Sequence, residues 1–140
     1  MINEFNNRVR YAETDNMGIV YHANYYVWFD MGRVEYLREV GYDYRTIENH
    51  GIIFPLIEGH CKYIRPARFD DLVTIKTRIT LIKTAKVKFE YEVFNHLGDR
   101  LAIGYTVHGM VNKDLKPLNI IKYDKALYDL LKSNVEESIK

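Results

Sequence analysis

Hydrophobic positions along the chain change period twice, and each change marks a boundary between elements. Near the start, Phe5, Asn7, Val9 and Tyr11 alternate with Asn6, Arg8 and Arg10, the two-residue period of a short half-buried strand. That pattern places Tyr11 on one face with Val9 and Phe5. A polar break follows at residues 13–18. From Asn24 to Val40 the apolar residues Tyr25, Trp28, Phe29, Tyr36, Leu37 and Val40 recur at three- and four-residue steps, predicting a helix about 25 Å long with Gly41 as its left-handed stop. Residues 25–29 are apolar almost all round while charges gather later, so a sheet is expected to enclose the first half of this helix.

Beyond a loop at residues 49–51 the period returns to two. Val73, Ile75, Thr77, Ile79 and Leu81 form one series, Val87, Phe89, Tyr91 and Val93 a second, and Leu101, Ile103, Tyr105, Val107 and Val111 a third. The links at 83–86 and 95–100, the latter with a Gly98-Asp99 turn, are short enough for antiparallel hairpins. A less regular run at 52–65 supplies another strand, and Tyr123, Leu127, Leu130 and Leu131 mark a short closing helix. The order strand, long helix, four strands, short helix predicts an α+β fold in which one helix packs on one antiparallel sheet. Ala102, Phe94 and Met110 fall opposite their strands' main apolar series. Either a second subunit buries that outer face, or these are scattered surface residues.

Composition narrows the classes. A chain of 140 residues with 47% hydrophobic content fills one core, and without a Pro/Gly/Ser linker residues 1–140 read as a single domain. Charged residues balance to +1, so no global field draws the protein to nucleic acid or an anionic membrane, and an anionic ligand must be held locally. No apolar run approaches the roughly eighteen residues that span a bilayer, so no integral membrane contact is expected. Cys61 is alone, and the segment after Met1 lacks the basic and apolar regions of a secretory signal, which makes the cytoplasm the expected compartment. His22, His50, His60, His96 and His108 lack metal-ligand spacing, and neither GxGxxG nor GxxxxGK[ST] occurs. No metal and no organic cofactor are expected.

Residues 8–26, Arg-Val-Arg-Tyr-Ala-Glu-Thr-Asp-Asn-Met-Gly-Ile-Val-Tyr-His-Ala-Asn-Tyr-Tyr, closely resemble the opening motif of the 4-hydroxybenzoyl-CoA thioesterase family. Residues 63–71, Tyr-Ile-Arg-Pro-Ala-Arg-Phe-Asp-Asp, resemble that family's approach to its third strand. Within the family the chain is most similar to the bacterial acyl-CoA thioesterases associated with the Tol-Pal envelope system. The resemblance implies a hotdog fold, an acyl-CoA substrate, hydrolysis of its thioester, and a site shared between the subunits of a homodimer or homotetramer.

Thioester hydrolysis needs an activated water or a carboxylate nucleophile on one face of the carbonyl, with donors at the oxygen that gains charge. Asp15 meets the first need; Gly18 permits a tight turn, and the following helix start offers free amides for the second. The resemblance implies that Asp15 is the catalytic carboxylate, as base or as nucleophile, and that the His22 amide polarises the carbonyl. For Asp15 the bland alternative is helix capping; for the His22 side chain it is an ordinary helix-terminal histidine. Tyr11 matches a residue that assists the acid in related enzymes, with core packing as its alternative. Gly18, Tyr21, Arg65 and Lys86 complete the expected substrate-binding set. Arg65, Arg68, Lys83, Lys86 and Lys88 are the basic candidates for the coenzyme A phosphates, surface charge being the alternative. Tyr25, Trp28, Phe29 and Phe54 either floor an acyl pocket or belong to the core. Asp30, Glu35 and Glu39 read as a solvated helix face, and Glu58 and His60 as polar residues near a strand end. Two further functions share the same substrate chemistry: a non-catalytic acyl-CoA-binding module, and a dehydratase or hydratase that pairs a histidine with an acid.

Overall fold

The computed structural model describes all residues, Met1–Lys140. Strand β1 (Asn3–Arg8) ends earlier than the alternation predicts. Tyr11–Glu13 form a single 3-10 turn, closed where the Arg10 amide donates to Glu13 Oε1 at 2.8 Å. Tyr11 therefore leaves the strand face instead of packing beside Val9, and is 77% exposed with its ring edge against Phe69.

Helix α1 (Asn24–Val40) has the predicted limits, and Gly41 stops it at a φ of 89°. Its buried residues, Tyr25, Trp28, Phe29, Gly32, Arg33, Tyr36 and Leu37, form one stripe at three- and four-residue steps. A Cβ on Gly32 would lie 2.5 Å from Thr77 Oγ1 and 2.9 Å from Ile75 Cγ2, so the bare glycine is what lets the helix reach the sheet. The sheet covers this stripe only: Val27, on the other side of the apolar first half, is 44% exposed. Helix α2 (Tyr44–Asn49) takes part of the predicted loop, capped by Asp43, which accepts from the Thr46 amide.

Strands β2 (Leu56–Tyr63), β3 (Leu72–Ile82), β4 (Lys86–Phe94) and β5 (Arg100–Gly109) follow, then the single turn α3 (Ile120–Tyr123) and helix α4 (Lys125–Ser133). All pairings are antiparallel, in the order β1-β3-β4-β5-β2. The chain thus crosses from one edge of the sheet to the other through α1, which lies on the inner face.

Strand β5 is turned over relative to its apolar series. Ala102, Gly104, Thr106 and His108 are buried, whereas Ile103, Tyr105 and Val107 remain half-exposed on the outer face. Gly104 faces inward because the Phe29 ring, stacked on Tyr91 at 4.3 Å, occupies the space a Cβ would need. Thr106 and His108 face inward because each finds a polar partner there. Ala102 and Met110 are accordingly core residues, not part of an outer apolar patch; Phe94 does lie outside, under Lys76. A bulge between Ile79 and Leu81 likewise exposes Leu81 and buries Ile82. Part of the outer face is covered by the chain's own end, where Ser138 and the Ile139 amide donate to the Glu90 carboxylate.

Candidate active site

The segment between β1 and α1 is a small closed loop. The Asp15 amide donates to the Ile19 carbonyl at 2.8 Å, the Gly18 amide to the Asp15 carbonyl at 3.0 Å, and Thr14 bridges to Val20. Gly18 has a φ of 76° with nothing within 4 Å of a built Cβ, so glycine is needed for the backbone conformation and not for room. The loop is fastened to β3's approach, where the Val20 amide donates to the Ala67 carbonyl at 2.8 Å.

Asp15 is half-buried, and its Oδ1 accepts from the Met17 amide at 2.8 Å. That is a turn within the loop, not a helix cap: the N-cap of α1 is Ala23 and has no side-chain bond. Asp15 Oδ2 receives no donor from the chain. At the helix start the amides of His22 and Ala23 have no acceptor either, since the first intrahelical-type bond comes from the Asn24 amide to the Tyr21 carbonyl.

A cavity of about 320 Å³ opens between these groups, lined among others by Asp15, His22, Tyr25, Tyr63, Ile64 and Arg65. The Tyr63 hydroxyl donates to the His22 carbonyl at 2.8 Å, and its ring meets Tyr25 edge-on at 5.0 Å. Burial pushes the Tyr25 phenol up to about 12 and raises Tyr63 as well, so both walls are neutral at physiological pH. The amides of Ile64 and Arg65 share the Leu101 carbonyl, which turns the chain out of β2 beside the cavity. The Arg65 side chain is 64% exposed and its ion pair with Asp99 is loose, at 4.0 Å, so its guanidinium is open to a competing anion.

The structure therefore brings Asp15, His22 and Arg65 to one cavity and keeps Gly18 at the turn that shapes it. Tyr21 sits beside the cavity with its ring against His22 at 4.3 Å. Tyr11 does not line it. Lys86 is at the other end of the sheet: it pairs with Gly109, whereas Tyr63 pairs with Ala102, a separation of about 24 Å along β5 at the usual rise per residue. Lys83 and Lys88 share that far end, so the basic candidates are not one cluster; Arg68, bridged to Ile19, is the one that stays near Arg65. Of the four aromatic candidates only Tyr25 lines the cavity, while Trp28, Phe29 and Phe54 belong to the core. Glu58 is bonded to the Tyr105 hydroxyl at 2.5 Å on the outer face, and Asp30 and Glu35 are paired with Arg33 and Arg38. The pattern gave no sign of Tyr63 and Ile64 as cavity walls, because the irregular run holding them becomes an edge strand exposed on both faces.

Comparison with known proteins agrees with this architecture. Residues 9–129 match the thioesterase-like superfamily. The putative acyl-CoA thioesterase YneP of Bacillus subtilis is 34% identical over 81% of this chain and 83% of its own length. The acyl-CoA thioester hydrolase YbgC of Escherichia coli O157:H7 is 32% identical over 63% of this chain and 66% of its own length. Among solved structures, the DHNA-CoA thioesterase of Staphylococcus aureus superposes with a TM-score of 0.91 at 28% identity, covering 94% of this chain and 89% of that one. The α+β helix-on-sheet arrangement that the element order predicts is the hotdog fold that the motif's resemblance implies, and the chain belongs to the thioesterase-like superfamily.

Proposed function

We propose that this chain hydrolyses acyl-CoA thioesters to the free acid and coenzyme A, with Asp15 as the reacting carboxylate. One observation carries the reading: Asp15, with an unbonded carboxylate oxygen, and His22, with an acceptor-free amide, line the same cavity, and the equally free Ala23 amide follows His22 in the chain. With the thioester carbon between them, the amides hold the carbonyl oxygen as it becomes negative. Asp15 either takes a proton from the attacking water and passes it to the thiolate as the C–S bond breaks, or attacks the carbonyl and displaces the thiolate to form an anhydride; water then opens the anhydride, and the proton it gives up neutralises the thiolate. The His22 ring, exposed beside the Tyr21 ring, orients the substrate. Arg65 and Arg68 take the nucleotide phosphates. The names of YneP and YbgC support the substrate class. Placement with the 4-hydroxybenzoyl-CoA and Tol-Pal-associated branch rests on the motif at residues 8–26. A dehydratase would pair a histidine with an acid, and the His22 ring has no carboxylate partner.

The active form in this reading is a dimer or a higher multiple of two. Strand β2 is an edge with one side unpaired, Leu56 and Ile57 on it are more than half exposed, and it ends at the cavity wall Tyr63. A second copy adding its own β2 would cover that edge and close the cavity; light scattering during chromatography tests it, and an active monomer would refute it.

The deciding experiment is Asp15→Asn assayed for thiol release from a panel of acyl-CoAs. Asparagine keeps the oxygen that accepts from Met17, so fold and binding should persist while turnover falls roughly a hundredfold or more. Near-normal turnover by the folded variant would remove the reading.

A further inference from the structure

Glu13 is a carboxylate buried to 3% exposure that the hydrolytic reading leaves without a task. Its two oxygens are each taken by a donor: Oε2 accepts from the Trp28 indole Nε1 at 2.7 Å, and Oε1 from the Arg10 amide at 2.8 Å, with the Arg10 guanidinium 3.5 Å away. Its carbonyl oxygen accepts twice more, from the Tyr21 amide and from Asn24 Nδ2, both at 2.8 Å. One residue thus joins the end of β1, the base of the Asp15 loop and the first two turns of α1. No other side chain bonds the loop's base directly to the helix interior, and Trp28 is itself wholly buried, so this anchor cannot slide without disturbing the core.

We propose that Glu13 is a positioning residue: the Glu13–Trp28 bond sets where the Asp15 carboxylate stands relative to the free amides at the start of α1. The proposal rests on the assignment of Asp15 made above. Asp15 lies two residues beyond Glu13, and the amides of His22 and Ala23 lie between Tyr21 and Asn24, so both halves of the site hang from one residue: its carbonyl holds Tyr21 and Asn24, and its carboxylate ties that residue to Trp28 in α1. Both oxygens face N–H donors, and only a carboxylate accepts with both. An amide at this position turns an NH2 toward one of those donors and loses a bond, so the loop shifts while side-chain volume is unchanged. Reacting groups displaced by about an ångström forfeit much of the advantage of proximity.

Glu13→Gln, Trp28→Phe and the double variant, each also placed in the Asp15→Asn background, test this by steady-state kinetics. The expected result is a fall in kcat of about ten- to a hundredfold for each single variant with KM little changed. The double variant should be no worse than the poorer single one, and neither change should lower the residual rate of Asp15→Asn further. Because Trp28 is the chain's one tryptophan, its fluorescence reports the bond directly, and the Glu13→Gln spectrum should shift at full folding. Variants that melt earlier but turn over normally when folded would show a purely structural Glu13 and overturn the inference, leaving Asp15 in place. Full activity in Asp15→Asn would overturn both, since no catalytic carboxylate would remain to be positioned. Where Glu13→Gln does not fold, Trp28→Phe, which keeps an aromatic ring in the core, carries the same comparison.

Discussion

The middle and the beginning of α1 handle polar groups in opposite ways. At Arg33, in the middle, the guanidinium donates to Tyr44, Tyr91 and Asp30, Tyr91 meets Thr106, Thr106 meets His108, and His108 reaches the Phe54 carbonyl. The directions are forced. His108 Nδ1 must donate to a carbonyl, so Nε2 accepts from Thr106, which accepts from Tyr91, which accepts from Arg33. None of these side chains is left with an unpartnered buried atom. At the beginning, Asp15 Oδ2 and the amides of His22 and Ala23 have no partner in the chain, and Asp15 and His22 line a cavity. A saturated network is structure; an unsaturated set of complementary groups around a space is a place for a ligand.

That contrast can be broken first by exchanging the kinds of damage. Arg33→Ala removes a buried side chain, strands the Tyr44 hydroxyl and leaves Tyr91 only its bond to Thr106, so stability should fall by about 3–5 kcal/mol in urea unfolding, while kcat of the folded fraction changes little. Asp15→Asn should do the reverse, altering stability by less than about 0.5 kcal/mol. An Arg33 variant with native stability would mean that the network is not what holds the inner face.

The next effect is on pH. Burial first, and then the charge of Arg33, lower His108 to about 4, against an ordinary value near 6.5. Between those values the unfolded chain holds a proton that the folded chain refuses. Stability present above about pH 6.5 is therefore lost as pH falls toward 4, by up to about 3 kcal/mol, and His108→Gln should flatten that part of the profile. Stability measured by denaturant at several pH values checks both.

Smaller effects belong to the loop. Gly18→Ala imposes a left-handed backbone on a residue with a Cβ and should cost about 1–2 kcal/mol, visible in thermal melting, with turnover lowered as well. His22→Ala should reduce turnover less than Asp15→Asn, because the backbone amide remains. Least of all, Arg65→Ala should raise KM a few-fold at low salt and hardly at all at high salt, where the exposed charge is already screened. A KM difference that persists in high salt would show that Arg65 does something other than attract the phosphates.

Much of this was legible beforehand, and the failures share a cause. The limits of α1, the two hairpins, and the grouping of Asp15, Gly18 and His22 on one segment were read from residues within a few positions of one another. Tyr11 went astray because alternation runs on in the sequence after the strand has stopped, at a turn that Glu13 closes. In β5 an alternating pattern identified two different faces but not which one points inward. Hydrophobicity alone chose the wrong face, since Thr106 and His108 became suitable for the interior only through Tyr91 and Phe54, and Tyr91 only through Arg33, 58 residues away. The same limit separated Lys86 from Arg65: both are basic residues near strand ends, and only the register shows that they are opposite ends.

What the sequence by itself determined is local: where α1 begins and stops, where the chain must turn back, and that an acid, a glycine and a helix start stand close together. These follow from backbone geometry and side-chain period, which act over a turn or a hairpin. Only the tertiary structure decided which face of β5 is core, which basic side chain reaches the cavity, and that Glu13 is bonded to Trp28 beneath the Asp15 loop. The reason is physical. A polar group's preference for burial is set by whether a partner waits for it, and its partner's position is a property of the folded chain.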